Sequence, residues 1–108
     1  MKQNTIDKIK KYFSTQPVDK AWLFGSYARG EETSDSDIDI MVTYVPGFRP
    51  GLFGICRIID QLEQLLGLKV DLVERGTLYP RIAKEVESQK VEIYERKTER
   101  STAVGAYS

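Results

Sequence analysis

Asp37 and Asp39 are separated by one residue in the run Asp37-Ile38-Asp39-Ile40-Met41-Val42, which alternates acid and apolar before becoming wholly apolar. In a strand, residues two apart share a face. The two carboxylates are therefore expected side by side, with Ile38 and Ile40 turned into a core. Carboxylates held that close repel each other, and a divalent cation is the usual remedy. Oxygen-only ligation suits Mg²⁺ or Mn²⁺ rather than zinc. Upstream, the apolar run Ala21 to Phe24 reads as a buried strand, and Gly25-Ser26 follows it directly. A glycine between strand and helix start lets the backbone approach a ligand closely. The N–H groups at that turn, with the Ser26 hydroxyl, can hold phosphate oxygens. An anion cradle followed by paired metal-binding acids implies transfer chemistry on a nucleoside triphosphate.

Tyr27 to Ser36 has room for one or two helical turns and then a turn. Asp35, in the segment before the strand, reads as a turn residue. Arg29 has two readings, a phosphate contact or a brace paired with an acid such as Glu31. Tyr27 reads as packing, with stacking or hydrogen bonding as the alternative.

The spacing Gly25-Ser26, ten residues, Asp37-Ile38-Asp39 resembles the signature of the nucleotidyltransferase superfamily that includes DNA polymerase beta. The fuller string GSYARGEETSDSDIDI is most similar to its minimal nucleotidyltransferase (MNT) group, known for pairing with HEPN-domain proteins in toxin–antitoxin systems. The motif covers about fifteen residues, and a family-like pattern runs from the N-terminal helix to Tyr94. The resemblance implies an α+β fold, a small mixed sheet with helices packed mainly on one face. It also implies that Asp71, in Leu68-Lys69-Val70-Asp71-Leu72-Val73, is a third metal-binding carboxylate on a neighbouring strand. The residue-level alternative is a solvent-facing acid on an edge strand; on a central strand an acid is costly unless paired or coordinated.

The same resemblance assigns two Mg²⁺ ions, Mn²⁺ being an alternative, to Asp37, Asp39 and Asp71. ATP is the implied substrate, its β- and γ-phosphates gripped by Ser26 and the backbone at Gly25 and Tyr27, with Arg29 at the phosphates. The acceptor it implies is a hydroxyl of a HEPN-domain toxin, AMP being transferred to silence it. Two other expectations stay open: neutralisation by tight complex formation, and transfer to a small molecule. A chain this short has the nucleotide half of a transferase and little room for an acceptor-binding lobe, which a partner protein can supply.

Elements that position these residues follow from periodicity. Residues 4 to 15 form an amphipathic pattern with Ile6, Ile9, Tyr12 and Phe13 on one stripe, and Asn4 or Thr5 as cap. Lys8, Lys10 and Lys11 read as a solvated face. Tyr44 to Gly54 is loop by composition, expected near the site mouth because it follows the acidic strand. Phe48 in it reads as a pin to the core. Leu52 to Leu66 has helical spacing dense in apolar residues, stopped by Gly67. Leu78 to Ser88 reads as a helix with Ile82, Ala83 and Val86 inward, and Val91 to Tyr94 as a last strand.

With 108 residues, one small domain is expected, residues 1–95, with 96–108 as a flexible tail. The 16 basic residues balance 16 acidic ones, so no overall basic footprint suggests a nucleic-acid template. The absence of histidine removes Ser-His-Asp and Cys-His catalysis and histidine-ligated zinc. The single cysteine, Cys56, excludes an internal disulfide and reads as a core residue. No stretch approaches a membrane span, and the expectation is a cytoplasmic protein.

Overall fold

The computed structural model describes residues 3–96. Eight elements follow one another: α1 (Gln3–Phe13), β1 (Val18–Phe24), α2 (Gly25–Arg29), β2 (Ile38–Tyr44), α3 (Leu52–Leu66), β3 (Val70–Glu74), α4 (Pro80–Gln89) and β4 (Val91–Glu95). One mixed sheet has strand order β3-β2-β1-β4. The pairs β1·β2 and β1·β4 are antiparallel, whereas β2·β3 is parallel through the α3 crossover. The α+β architecture expected from the sequence is the one observed.

Alternation along the strands sorts the core into two faces. Ala21, Leu23, Ile38, Ile40, Val42 and Val70 point to one face, where they pack with Ile9 and Phe13 of α1 and Ile58 and Leu62 of α3. Trp22 and Met41 point to the other and meet Val86 of α4, with Phe24, Val73 and Leu78 beside them. Thus α1 and α3 cover one face fully, while α4 covers part of the second. An arginine and a lysine bracket Trp22, the Arg75 guanidinium at 5.1 Å and Lys90 Nζ at 5.8 Å from the ring centroid. Glu87 of α4 accepts from both, with Arg75 bound through two atoms at 2.9 Å and Lys90 Nζ at 2.9 Å. These bonds lock α4 in register against the sheet.

Leu62 sits between α3 and the sheet with no exposed surface. Leu62→Ala is expected to lower the unfolding free energy by ~2–5 kcal/mol, because a cavity adds to the lost burial. Urea titration followed by circular dichroism reads this directly; a loss under 1 kcal/mol would show that the core collapses around the gap.

Several sequence expectations are corrected. The α1 helix already includes Gln3, so Asn4 and Thr5 lie inside it and cap nothing. Cys56 is exposed, not core, because α3 turns only the stripe of Ile58 and Leu62 fully inward. Leu52 and Phe53, at the start of that helix, are 73% and 87% exposed. Ile82 likewise faces outward, since the short α4 reaches the sheet chiefly through Val86. Gly67 ends α3 as expected, in the left-handed conformation with its N–H on the Glu63 carbonyl. Arg96, just past β4, donates from its backbone to the Asp19 carbonyl at 2.7 Å and from Nε to the Val18 carbonyl at 3.0 Å. The rest of the expected tail, 97–108, lies outside the described residues. Among the described residues no helix is long and apolar enough to cross a membrane.

Candidate active site

Strand register brings the chemistry-bearing residues together. Phe24, the last residue of β1, pairs with Asp39 of β2, and Asp39 pairs in turn with Asp71 of β3. Phe24, Asp39 and Asp71 therefore lie in one row across three adjacent strands, with Gly25 the next residue after Phe24. By alternation Asp39 and Asp71 share the face of Met41 and Val73, the face that α4 leaves partly open. Asp37 precedes the first residue of β2 and is exposed, while Ile38 and Ile40 are buried as expected. Asp71 stands on an edge strand, not a central one. It is exposed, so an acid there does not bear the desolvation cost that a central strand would impose.

Electrostatics shows how crowded this row is. Burial pushes the Asp39 carboxyl up from the ordinary value of 3.8 to about 6, and the neighbouring charges of Asp71 and then Asp37 push the same way. The Arg29 guanidinium opposes them. A site that strains to ionise by itself is one in which a bound cation is stabilised.

Gly25 adopts φ +69°, and a Cβ built there would stand 2.2 Å from Asp39 Oδ2. The turn after β1 is thus pressed onto the Asp39 carboxylate, and only glycine allows the approach. Ser26 is half-buried in α2, a five-residue helix closed by Gly30 at φ +73°, whose N–H reaches the Ser26 and Tyr27 carbonyls. Tyr27 packs against the α1/α3-side core, which favours its packing reading. Its hydroxyl is pushed up in pKa by burial and by Glu32.

Between α2 and β2, a tight turn sets the phase of the acidic strand. The Thr33 N–H donates to Ser36 Oγ at 2.8 Å and the Ser36 N–H to the Thr33 carbonyl at 3.1 Å. Asp35 is exposed in this turn, away from the paired acids. Arg29 does what one of its two readings foresaw: Nε donates to Glu31 Oε1 at 2.8 Å. It also does something no local pattern announces, donating from Nη1 to Gln89 Oε1 at 3.2 Å across a sequence separation of 60.

The loop following Tyr44 is not at the site mouth. Tyr44 pairs with Val18, so it lies toward the opposite end of β2 from Asp39, five residues along the strand or ~17 Å away. Phe48 contacts only its neighbour Tyr44 among aromatic rings, with centroids 6.4 Å apart, and is 42% exposed.

The donor set fits a hard divalent cation: carboxylate oxygens only, one of them held back from ionising by burial first and by its acidic neighbours second. Among the described residues no group of three or more acid or cysteine side chains is gathered so as to hold a metal ion, and register brings Asp39 and Asp71 together as a pair.

Known proteins resemble this chain in sequence and in fold. Residues 6–96 match the model of the nucleotidyltransferase domain. Protein adenylyltransferase MntA of Thermococcus cleftensis is 47% identical over 64 residues, 59% of this chain; the match spans 63% of that relative. Among solved structures, a candidate minimal nucleotidyltransferase superposes with TM-score 0.69 at 30% identity, over 82% of this chain and 89% of that one. The MNT antitoxin fold seen in complex with a tri-AMPylated Shewanella oneidensis HEPN toxin is also similar, with TM-score 0.66 at 21% identity, over 99% of this chain and 87% of that one.

Proposed function

This chain belongs to the nucleotidyltransferase domain family as one of its minimal members, and from that premise we propose that it moves AMP from ATP onto a hydroxyl of a partner protein. The observation that carries the reading is a phosphate-type turn at Gly25 pressed against Asp39, an acid that pairs in register with Asp71 and that burial and then its acidic neighbours hold back from ionising. The Thermococcus relative is named a protein adenylyltransferase, and the Shewanella complex contains an AMPylated HEPN toxin. Both support a protein acceptor, and the second supports a HEPN-domain toxin, with this chain as its antitoxin.

In this reading the acceptor hydroxyl oxygen forms a bond to the α-phosphorus of ATP. The bond from that phosphorus to the bridging oxygen of pyrophosphate breaks, and pyrophosphate leaves with the electron pair. The hydroxyl proton passes to water or to Asp71, whose exposed position on the edge strand leaves it open to an incoming acceptor. Ser26 and the backbone N–H groups beside it hold the β- and γ-phosphates, with Arg29 on their flank. Asp37, Asp39 and Asp71 are the residues that would hold Mg²⁺ or Mn²⁺. When bound, divalent ions supply charge neutralisation at the triphosphate and a lowered pKa for the attacking hydroxyl. The partner contributes the acceptor surface that a domain of this size lacks.

The test is intact-mass spectrometry of a HEPN partner incubated with this protein, ATP and Mg²⁺. One or more AMP increments are expected, absent with an Asp37→Ala/Asp39→Ala double variant. An unmodified partner in a stable complex with both forms would instead support neutralisation by binding, for which the exposed Leu52 and Phe53 offer apolar surface.

A further inference from the structure

The contact between Arg29 and Gln89 joins the segment after the phosphate-type turn to the end of α4, and neither the fold nor the core requires it. Arginine carries five N–H donors in a rigid planar fork and no acceptor. The Nε donor is taken by Glu31 at 2.8 Å and one Nη1 donor by Gln89 at 3.2 Å. Because the guanidinium can only donate, the atom of Gln89 facing it must be the amide oxygen. Two acceptors from different elements fix the plane of the fork, which a single exposed partner two residues away would leave free to swing. Three N–H groups are then uncommitted to any described residue, and the charge is felt by Asp39 across the site.

The chemistry of the two braces differs in a way that suits an anion site. Glu31 offsets part of the arginine charge, whereas a neutral amide orients the fork without cancelling more of it. Gln89 is itself held firmly. The next residue, Lys90, donates its N–H to the Val86 carbonyl at 2.8 Å and its Nζ to Glu87 at 2.9 Å. Val91 then pairs with Leu23 on β1, the strand that leads into Gly25. A closed circuit therefore runs from β1 through α2 and Arg29 to Gln89, and back through β4 to β1.

We propose that Gln89 is a positioning residue for nucleotide binding: it holds the Arg29 fork so that the uncommitted N–H groups meet the triphosphate. This rests on the nucleotide-site reading above and adds to it a residue from the other end of the chain.

The experiment is isothermal titration calorimetry of the full chain with Mg²⁺ and a non-hydrolysable ATP analogue. The series is wild type, Gln89→Met, Arg29→Ala and the double variant. Methionine keeps the length and helix preference of glutamine and removes the acceptor. Gln89→Met is expected to weaken binding about five- to tenfold, within the net worth of one ordinary hydrogen bond at an exposed position. The double variant is expected to bind no more weakly than Arg29→Ala alone, since Gln89 acts through the arginine. In steady-state transfer the KM for ATP rises by the same factor with kcat unchanged. Gln89→Ala serves in its place if the methionine variant melts early. Wild-type affinity in the Gln89 variant, or a loss that persists undiminished on the Arg29→Ala background, overturns the proposal. No analogue binding by the wild type would overturn the nucleotide site itself, and this role with it.

Discussion

Asp39→Asn is expected to abolish AMP transfer while making the metal-free protein more stable at neutral pH. The activity loss should be ~10³-fold or more, because a neutral amide cannot replace a carboxylate where transition-state charge is neutralised. The stability gain follows from linkage. In the folded chain the Asp39 carboxyl titrates at about 6, against 3.8 for an ordinary aspartate. Between those values the folded state keeps a proton that the unfolded state has already lost, so stability falls as pH rises through that window. Below it the penalty is absent; above it the penalty is complete. Asparagine removes the charge and hence the penalty, by on the order of 1 kcal/mol once solvent screening at this half-exposed position is allowed for. Thermal melts in chelator at pH 4 and pH 7.5 test this: the variant should gain over wild type at the higher pH only. Equal gains at both would mean that ionisation of the Asp39 carboxyl is not what strains the site. Added Mg²⁺ should raise the wild-type Tm and leave the variant nearly unmoved, since binding to the native state alone stabilises it.

Gly25→Ala is the second large effect, and it acts through two independent costs. The residue sits at φ +69°, where a Cβ costs roughly 1–2 kcal/mol. That Cβ would also stand 2.2 Å from Asp39 Oδ2, too close for any non-bonded pair. The Asp39 side chain can rotate away without disturbing the β1·β2 pairing at Phe24–Asp39, but only by leaving its present place beside Asp71. Either the turn or the acid must move, and both belong to the site. Transfer should fall by ~10²-fold or more even where the protein folds, as expected when reacting groups are displaced by about 1 Å. Gly30→Ala is the informative control. Gly30 also has positive φ, +73°, but an added Cβ there meets nothing within 4 Å. It should show the backbone cost without the loss of transfer. If the two variants behave alike, strain and not the Asp39 contact governs the turn.

Much of the site was legible because its signals are local. A glycine-serine pair after an apolar run and two acids one residue apart need only short-range chemistry to interpret. Helical periodicity placed α3 at Leu52–Leu66 to the residue, since its apolar spacing and its glycine stop agree. The misplacements share a cause. Cys56 and Ile82 lie on helices whose inward stripe is narrower than their apolar content suggests, and composition does not say which apolar residues a sheet will reach. The loop after Tyr44 was expected beside the acids because it follows them in the chain. Yet a strand carries its two ends ~20 Å apart, and β2 separates what the sequence sets close together.

The sequence alone therefore determined the nucleotidyltransferase family, the strand-to-helix turn at Gly25-Ser26 and the order of helices and strands, and it nominated Asp37 and Asp39 as acids of the site. Each follows from residue type and spacing within about fifteen positions. Only the tertiary structure decided that Asp71 stands in register with Asp39, on an edge strand and not a central one. It alone pressed Gly25 against that carboxylate, left part of the second sheet face open, and joined Arg29 to Gln89. The physical reason is strand pairing: hydrogen-bonded register between segments far apart in the chain sets which side chains meet, and no local pattern encodes it.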